Sequence, residues 1–269
     1  MIDVHITGNK ELRLSHPESW AEVKPEQFRG ISVYLAKDVV SDDDRIQIAR
    51  IMLSLSNADL YRLRNMEGFQ IEHIINLHDF IFAESSFDRW MLENIYVGEQ
   101  CFYGPEDNFR NVTWDEFVYC DTYLMLYCEN KEDQYLDKLI ATIYRLQSKE
   151  YDPESPTYKG DIREDFNENT ITVRADLLGC FIEKTTKDAI VINLRAVRKN
   201  IEKQYPYLFP QTDFEEAVAV KKKPRKNAVG WENVTRTLCD FADIDKVGKM
   251  PAHNILFELN ERIKESKRK

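Results

Sequence analysis

Glycine is scarce in this chain, nine residues in 269, and each stands alone in sequence. That scarcity leaves no G-x-x-x-x-G-K-[ST] and no G-x-G-x-x-G, so a backbone cradle for phosphates is not expected. H-E-x-x-H and G-x-S-x-G are missing too, which removes the short signatures of zinc proteases and of serine hydrolases. The five cysteines, Cys101, Cys120, Cys128, Cys180 and Cys239, are odd in number and never spaced C-x-x-C. They read as buried, reduced thiols rather than a disulfide framework or zinc site, and they place the chain in a reducing, cytoplasmic compartment. No run of about 18 apolar residues exists to span a bilayer. The opening stretch "MIDVHITGNKELRLS" alternates in polarity and has no apolar signal core. Export as part of a larger particle needs no such signal. Excess positive charge is lacking as well. With 37 Lys and Arg against 47 Asp and Glu, the net charge is -10, which argues against a protein that coats nucleic acid over its whole surface.

What the chain does have is long side chains: 14 phenylalanines and 13 tyrosines in a composition 43% hydrophobic and 31% charged. Few glycines and many aromatics favour helices with aromatic-filled interfaces. The expected fold is mainly α, a multi-helix bundle with a short N-terminal β-hairpin and a small C-terminal helical unit. The hairpin falls in residues 2–15, where Val4 and Ile6, then Leu12 and Leu14, alternate with polar neighbours. Pro25 followed by Glu26 suits a helix start, and "SDDDR" reads as a cap on the positive end of the next helix rather than a metal cluster. Residues 85–110 show no clean period. Thr113, with Glu116 three residues on, has the capping-box pattern and opens a helix paired as an antiparallel hairpin with "NKEDQYLDKLIATIYRLQ". Residues 148–169 read as a long exposed loop, 170–183 and 186–204 as helices. The expected organisation is a main domain over 1–209, a charged linker over 210–228 and a C-terminal helical unit over 229–269. That last unit has too small a core to stand alone and should dock on the main domain or on a partner.

Candidate chemistry is thin. His73 and His78 share one expected helix at a spacing of five, about 140° apart, which suits no single metal; His5, His16 and His253 join no ligand pattern. Asp107, Asp115 and Glu116 sit close in sequence, but a polar surface loop does not separate carboxylate pKa values as acid–base catalysis requires, so they read as caps and loop solubility. "NVT" at Asn111 matches a glycosylation acceptor only by coincidence in a chain that is not secreted. Lys221, Lys222, Lys223, Arg225 and Lys226, with the basic end 262–269, read as a solvated linker and tail, or as contacts for nucleic acid or an acidic protein. No aromatics interleave with them for base stacking. No catalytic residue, metal or cofactor is expected.

Five blocks taken together are similar to a known group: "HPESWAEVKPEQF", "YGPEDNFRNVTWDEFVYCDTYL", "LIATIYRL", "KGDIREDFNENTI" and "GWENVTRTLCDF". They resemble proteins of the tail modules of Bacteroidetes phages and prophages, from about Pro17 to Leu259, departing at Leu146 where that group commonly has proline. The resemblance implies a non-enzymatic tail-assembly chaperone or particle-associated protein in the bacterial host cytoplasm or the virion. On this reading it binds an elongated helical partner such as the tape-measure protein, with Ile255, Leu259 and Ile263 exposed as part of the contact. The alternative is a packaging or regulatory protein that holds nucleic acid through 221–226 and 262–269. In either case the opening "FYGPEDNFRNVTWDEF" is scaffold: Gly104 and Pro105 turn the chain, Asp107 or Asn108 bonds loop amides, and Phe109 and Trp114 pin the loop.

Overall fold

The computed structural model describes residues 2–6, 12–83, 87, 89–155, 160–209, 231 and 244–268. The chain is mainly helical, as its composition implies, and divides into two units, Met1–Leu92 with Ile182–Val197, and Glu93–Phe181 with Arg198–Lys269.

The first unit opens with the expected hairpin, β1 (Ile2–Ile6) antiparallel to β2 (Leu12–His16), in a register that sets Ile2 opposite His16. Four helices follow: α1 (Pro25–Leu35), α2 (Asp42–Met52), α3 (Asn57–Arg64) and α4 (Gly68–Asn76). Pro25 occupies the first turn of α1, where its missing N–H has no partner to lose. The acidic run caps α2 as expected: Ser41 Oγ accepts from Asp44 N at 3.2 Å, and Asp44 Oδ2 accepts from Ser41 N at 3.0 Å. Ala49, Leu53, Leu55, Leu63 and Ile74 bury a core between these helices, with Ile46, Leu60 and Met66 packed against it. The unit also holds residues 184–197 of α8 (Lys184–Gln204). Asn193 on that helix is buried; its Oδ1 accepts from Met91 N at 2.7 Å and its Nδ2 donates to Arg89 O at 3.0 Å. One amide side chain thereby ties down a segment with no ladder of its own.

The second unit contains a small antiparallel sheet that sequence periodicity did not reveal. β3 (Asn94–Val97) and β4 (Gln100–Tyr103) form a hairpin whose turn places Gly98 at φ +59°, and β5 (Arg145–Leu146) adds to β4 with Tyr103 opposite Arg145. α5 (Trp114–Asn130) and α6 (Asp133–Ile143) form the expected helical hairpin, reversed at the left-handed Lys131. α7 (Ile171–Phe181) packs on α6. The C-terminal stretch docks on α5, as its small core requires, through α9 (Ile244–Gly248) and α10 (Ala252–Ser266). Trp114 N donates to Met250 O at 2.8 Å and Ala252 N to Val112 O at 2.9 Å. Gly248 is needed at this seam, because a Cβ there would come within 2.0 Å of the Asp115 carboxylate. The expected linker 210–228 and the helix expected near 229–242 lie outside the described residues, Trp231 excepted.

The loop expected over 148–169 is exposed only in part. Ser148 N donates to Ile162 O and Glu164 N to Leu146 O, each at 2.9 Å, so the chain returns to the sheet and buries Arg163. Thr113 caps α5 as expected, accepting from Glu116 N at 3.4 Å. That bond is long, so Thr113→Ala is expected to cost about 0.5–1 kcal/mol, the low end for caps, read as a shift in the urea midpoint at constant m value.

Candidate functional site

At the start of α5 the structure overturns one sequence expectation. Glu116 is not a solvated capping residue; it is 0% exposed, and two arginines converge on it. Its Oε1 accepts from Arg163 Nη1 at 2.8 Å and its Oε2 from Arg145 Nη2 at 3.0 Å. Asp161 closes the group, accepting from Arg163 through both oxygens, Nε to Oδ1 and Nη2 to Oδ2 at 2.9 Å each, and from Arg145 Nη2 at 3.3 Å. Two carboxylates and two guanidiniums therefore meet with no net charge, which makes burial of each one tolerable.

Each partner arrives by a distinct route. Arg145 stands on β5, directly after α6 ends, and Asp161 and Arg163 come from the strand-like return of the 148–169 segment. The network also gathers backbone: Arg163 Nη1 donates to Ile143 O at 2.9 Å and Nη2 to Asn111 O at 3.3 Å. Asn111 Nδ2 donates to Asp161 Oδ1 at 3.1 Å, while Asn111 Oδ1 accepts from Glu106 N at 2.8 Å. Asn111 is thus an amide-bonding side chain of this loop, whereas Asn108 Oδ1 accepts from Asn200 at 3.0 Å. Phe109 and Trp114 are buried, as their pinning role requires.

The two arginines differ. Burial alone would lower the Arg163 pKa, but Glu116 and Asp161 outweigh it and hold the guanidinium above the ordinary arginine value. At Arg145 burial wins over Glu116 and the shift is downward. The hydrogen bonds explain the difference: Arg163 uses Nε and both Nη atoms, while Arg145 leaves its buried Nε without a partner. Nearby, Arg174 on α7 donates to Ala141 O at 2.7 Å and to Glu164 Oε1 at 2.5 Å. Chemically the arrangement holds segments together, with both Glu116 oxygens already occupied as acceptors.

Two histidine sites also differ from expectation. α4 ends at Asn76, so His73 and His78 do not share it. His78 is buried with its ring against His16, centroids 5.4 Å apart. His16 Nδ1 donates to Pro17 O at 2.8 Å and His78 Nδ1 to Ile74 O at 3.1 Å, leaving both Nε2 atoms buried without a hydrogen-bond partner. In the second unit, Tyr205 OH donates to His253 Nδ1 at 2.7 Å, and His253 Nε2 donates to Asn108 O at 2.6 Å.

The expected partner-binding residues need a correction. Ile255 is only 5% exposed, and Leu259 and Ile263 are half-buried. At about 100° per residue all three fall on the α10 face that carries the buried Leu256, so that face is buried at Ile255 and only partly exposed at Leu259 and Ile263. Lys221, Lys222, Lys223, Arg225 and Lys226 lie outside the described residues; in the basic tail Arg262 pairs with Glu258 and Lys264 with Glu261. All four described cysteines are free thiols, but only Cys120 is buried. Among the described residues no group of three or more His, Cys, Asp or Glu side chains is placed to hold a metal ion, and no helix is long and apolar enough to cross a membrane. No protein-family model, curated protein or solved structure matches the chain.

The exposed apolar surface that sequence reasoning missed is on α7. Val173 is 74%, Leu177 37% and Phe181 65% exposed, one turn apart, while Ile171, Ala175 and Leu178 are buried on the opposite face. The helix is apolar on both sides, and among the described residues one side is buried while the other is exposed.

Proposed function

We propose that this chain is a non-enzymatic binding protein that holds an elongated helical partner, of the kind a phage tail module supplies in its tape-measure protein. One observation carries the reading: α7 presents Val173, Leu177 and Phe181 to solvent at a spacing of four residues. That spacing is what a second helix needs in order to lay an i, i+4 stripe alongside. A helix already packed on its other side gives such a stripe a rigid backing, and the Glu116 network stiffens the ends of α5 and α6 behind it. The partner identity rests on the resemblance of "YGPEDNFRNVTWDEF", "LIATIYRL" and "KGDIREDF" to tail-module proteins, blocks whose Glu116, Arg145, Asp161 and Arg163 form the network.

The test is co-purification of the tape-measure product with the full chain. Leu177→Asp together with Phe181→Asp is expected to abolish retention while thermal unfolding stays unchanged. Equal retention by this variant overturns the reading.

A further inference from the structure

Resting on that reading, we infer that the α7 face takes an amphipathic helix whose apolar stripe is flanked by lysine or arginine. The argument begins with the distribution of charge around the stripe. At about 100° per residue, Val173, Leu177 and Phe181 cover a sector of roughly 80°, and Asp176 borders it at about 60° from Val173. Asp176 is the one exposed charged side chain on α7; Arg174 is turned inward onto Ala141 O and Glu164. On α7 itself the stripe therefore has a negative border and no positive one.

The N-terminal end of the helix adds further acidic groups. The turn Glu168–Thr170 runs directly into α7, and an open cleft of about 350 Å³ there is lined by Asp115, Asp165, Phe166, Asn167, Glu168 and Lys249. The exposed Asp165 and Glu168 outnumber the Lys249 ammonium there. Phe166 and the Tyr119 ring it packs on, 5.6 Å between centroids, add aromatic surface beside the carboxylates. Glu168 accepts from Tyr119 OH, which fixes one of the carboxylates in place. An aliphatic stem with a cationic head suits both the aromatic wall and the acid rim. An acidic flank on a docked helix would meet Asp176 with no compensating cation on α7, and would meet Asp165 and Glu168 where the docked helix extends past the N-terminal end; like charges juxtaposed at an interface disfavour the wrong partner.

The experiment uses the full chain and two synthetic amphipathic peptides that share one leucine stripe, one flanked by lysine and the other by glutamate. Fluorescence anisotropy is expected to give at least about tenfold tighter binding of the lysine peptide, weakening as salt is added. Because the chain is acidic overall, a basic peptide can be attracted without any site. Val173→Asp with Phe181→Asp separates the two cases: it adds negative charge, so general attraction strengthens, whereas docking on α7 is lost by about tenfold or more. Asp165→Asn with Asp176→Asn is expected to bring the two peptides to similar affinities. Equal binding of both peptides by the unaltered chain overturns the inference, as does lysine-peptide binding that survives Val173→Asp with Phe181→Asp. If co-purification of the tape-measure product still depends on α7 in that event, the proposed function stands and only the partner's charge pattern falls.

Discussion

Glu116→Gln is expected to destabilise the second unit by about 3–5 kcal/mol, the cost of breaking a buried ion pair by removing one partner. The reason is asymmetry. Among the described residues, Glu116 is the only carboxylate that reaches both Arg145 and Arg163 from a fully buried position, since Asp161 keeps part of its side chain in solvent. Without it, two guanidiniums remain inside with one partly hydrated counter-charge, and Arg145 already lacks a partner at Nε. Glutamine preserves volume and one acceptor, so the loss reports charge rather than a cavity. Urea unfolding gives the total. Hydrogen exchange localises it, with α5 and α6 amides losing protection while α2 amides keep theirs.

The same network distinguishes stability from specificity of shape. Replacing Glu116, Arg145 and Arg163 together by leucine or methionine removes the three fully buried charges and leaves only the partly solvated Asp161 carboxylate unpaired; exchanges of buried ion groups for apolar side chains are often neutral or favourable. Here most of the Glu116→Gln loss is expected to be recovered, but not all. Arg163 also serves the carbonyls of Ile143 and Asn111, which an apolar side chain leaves unbonded. A triple variant no more stable than Glu116→Gln would mean that those backbone bonds, not the ion pairs, dominate.

The uneven legibility of this chain has physical causes. The α2 and α5 starts were readable because a cap is local: Ser41 and Asp44, or Thr113 and the Glu116 amide, lie three residues apart. The network was not readable. Glu116 is 29 residues from Arg145 and 47 from Arg163, and each stands among other charges that stay in water. Nothing local marks which acid will be enclosed, and the capping-box pattern supplied a sufficient but incorrect role for the Glu116 side chain. The three-stranded sheet escaped for a related reason. Ile95, Val97 and Phe102 point inward, but Tyr96 and Tyr103 put large rings on the other face, so the alternation expected of a half-buried strand is blurred. α7 itself was expected over 170–183, but its exposed stripe escaped because the helix is apolar on both sides, which periodicity reads as burial. The hairpin and the helical majority followed from composition and turn residues.

The second large effect is expected from His78, and it is a dependence of stability on pH. Burial, with a smaller contribution from the His16 ring beside it, lowers the His78 pKa from the ordinary 6.5 to about 4. Among the described groups near the pair, His78 meets His16, and the Glu22 carboxylate lies near His16 and accepts from Glu18 N at 3.0 Å. As pH falls below 6.5 the unfolded chain takes up the proton first, while the folded chain keeps His78 neutral until about pH 4. The unfolded state therefore binds more protons throughout that window. Stability from this group is complete above pH 6.5 and declines by up to about 3 kcal/mol on the way to pH 4. Urea midpoints measured across the window should fall accordingly, and His78→Gln should flatten the decline by this amount. Because the substituted core may respond in its own way, the unaltered chain supplies the second reading: the His78 ring proton shift should titrate near 4 rather than near 6.5. A midpoint near the ordinary value would mean that the ring reaches water in the folded state, and that the unpartnered Nε2 atoms of His16 and His78 are not sealed from solvent.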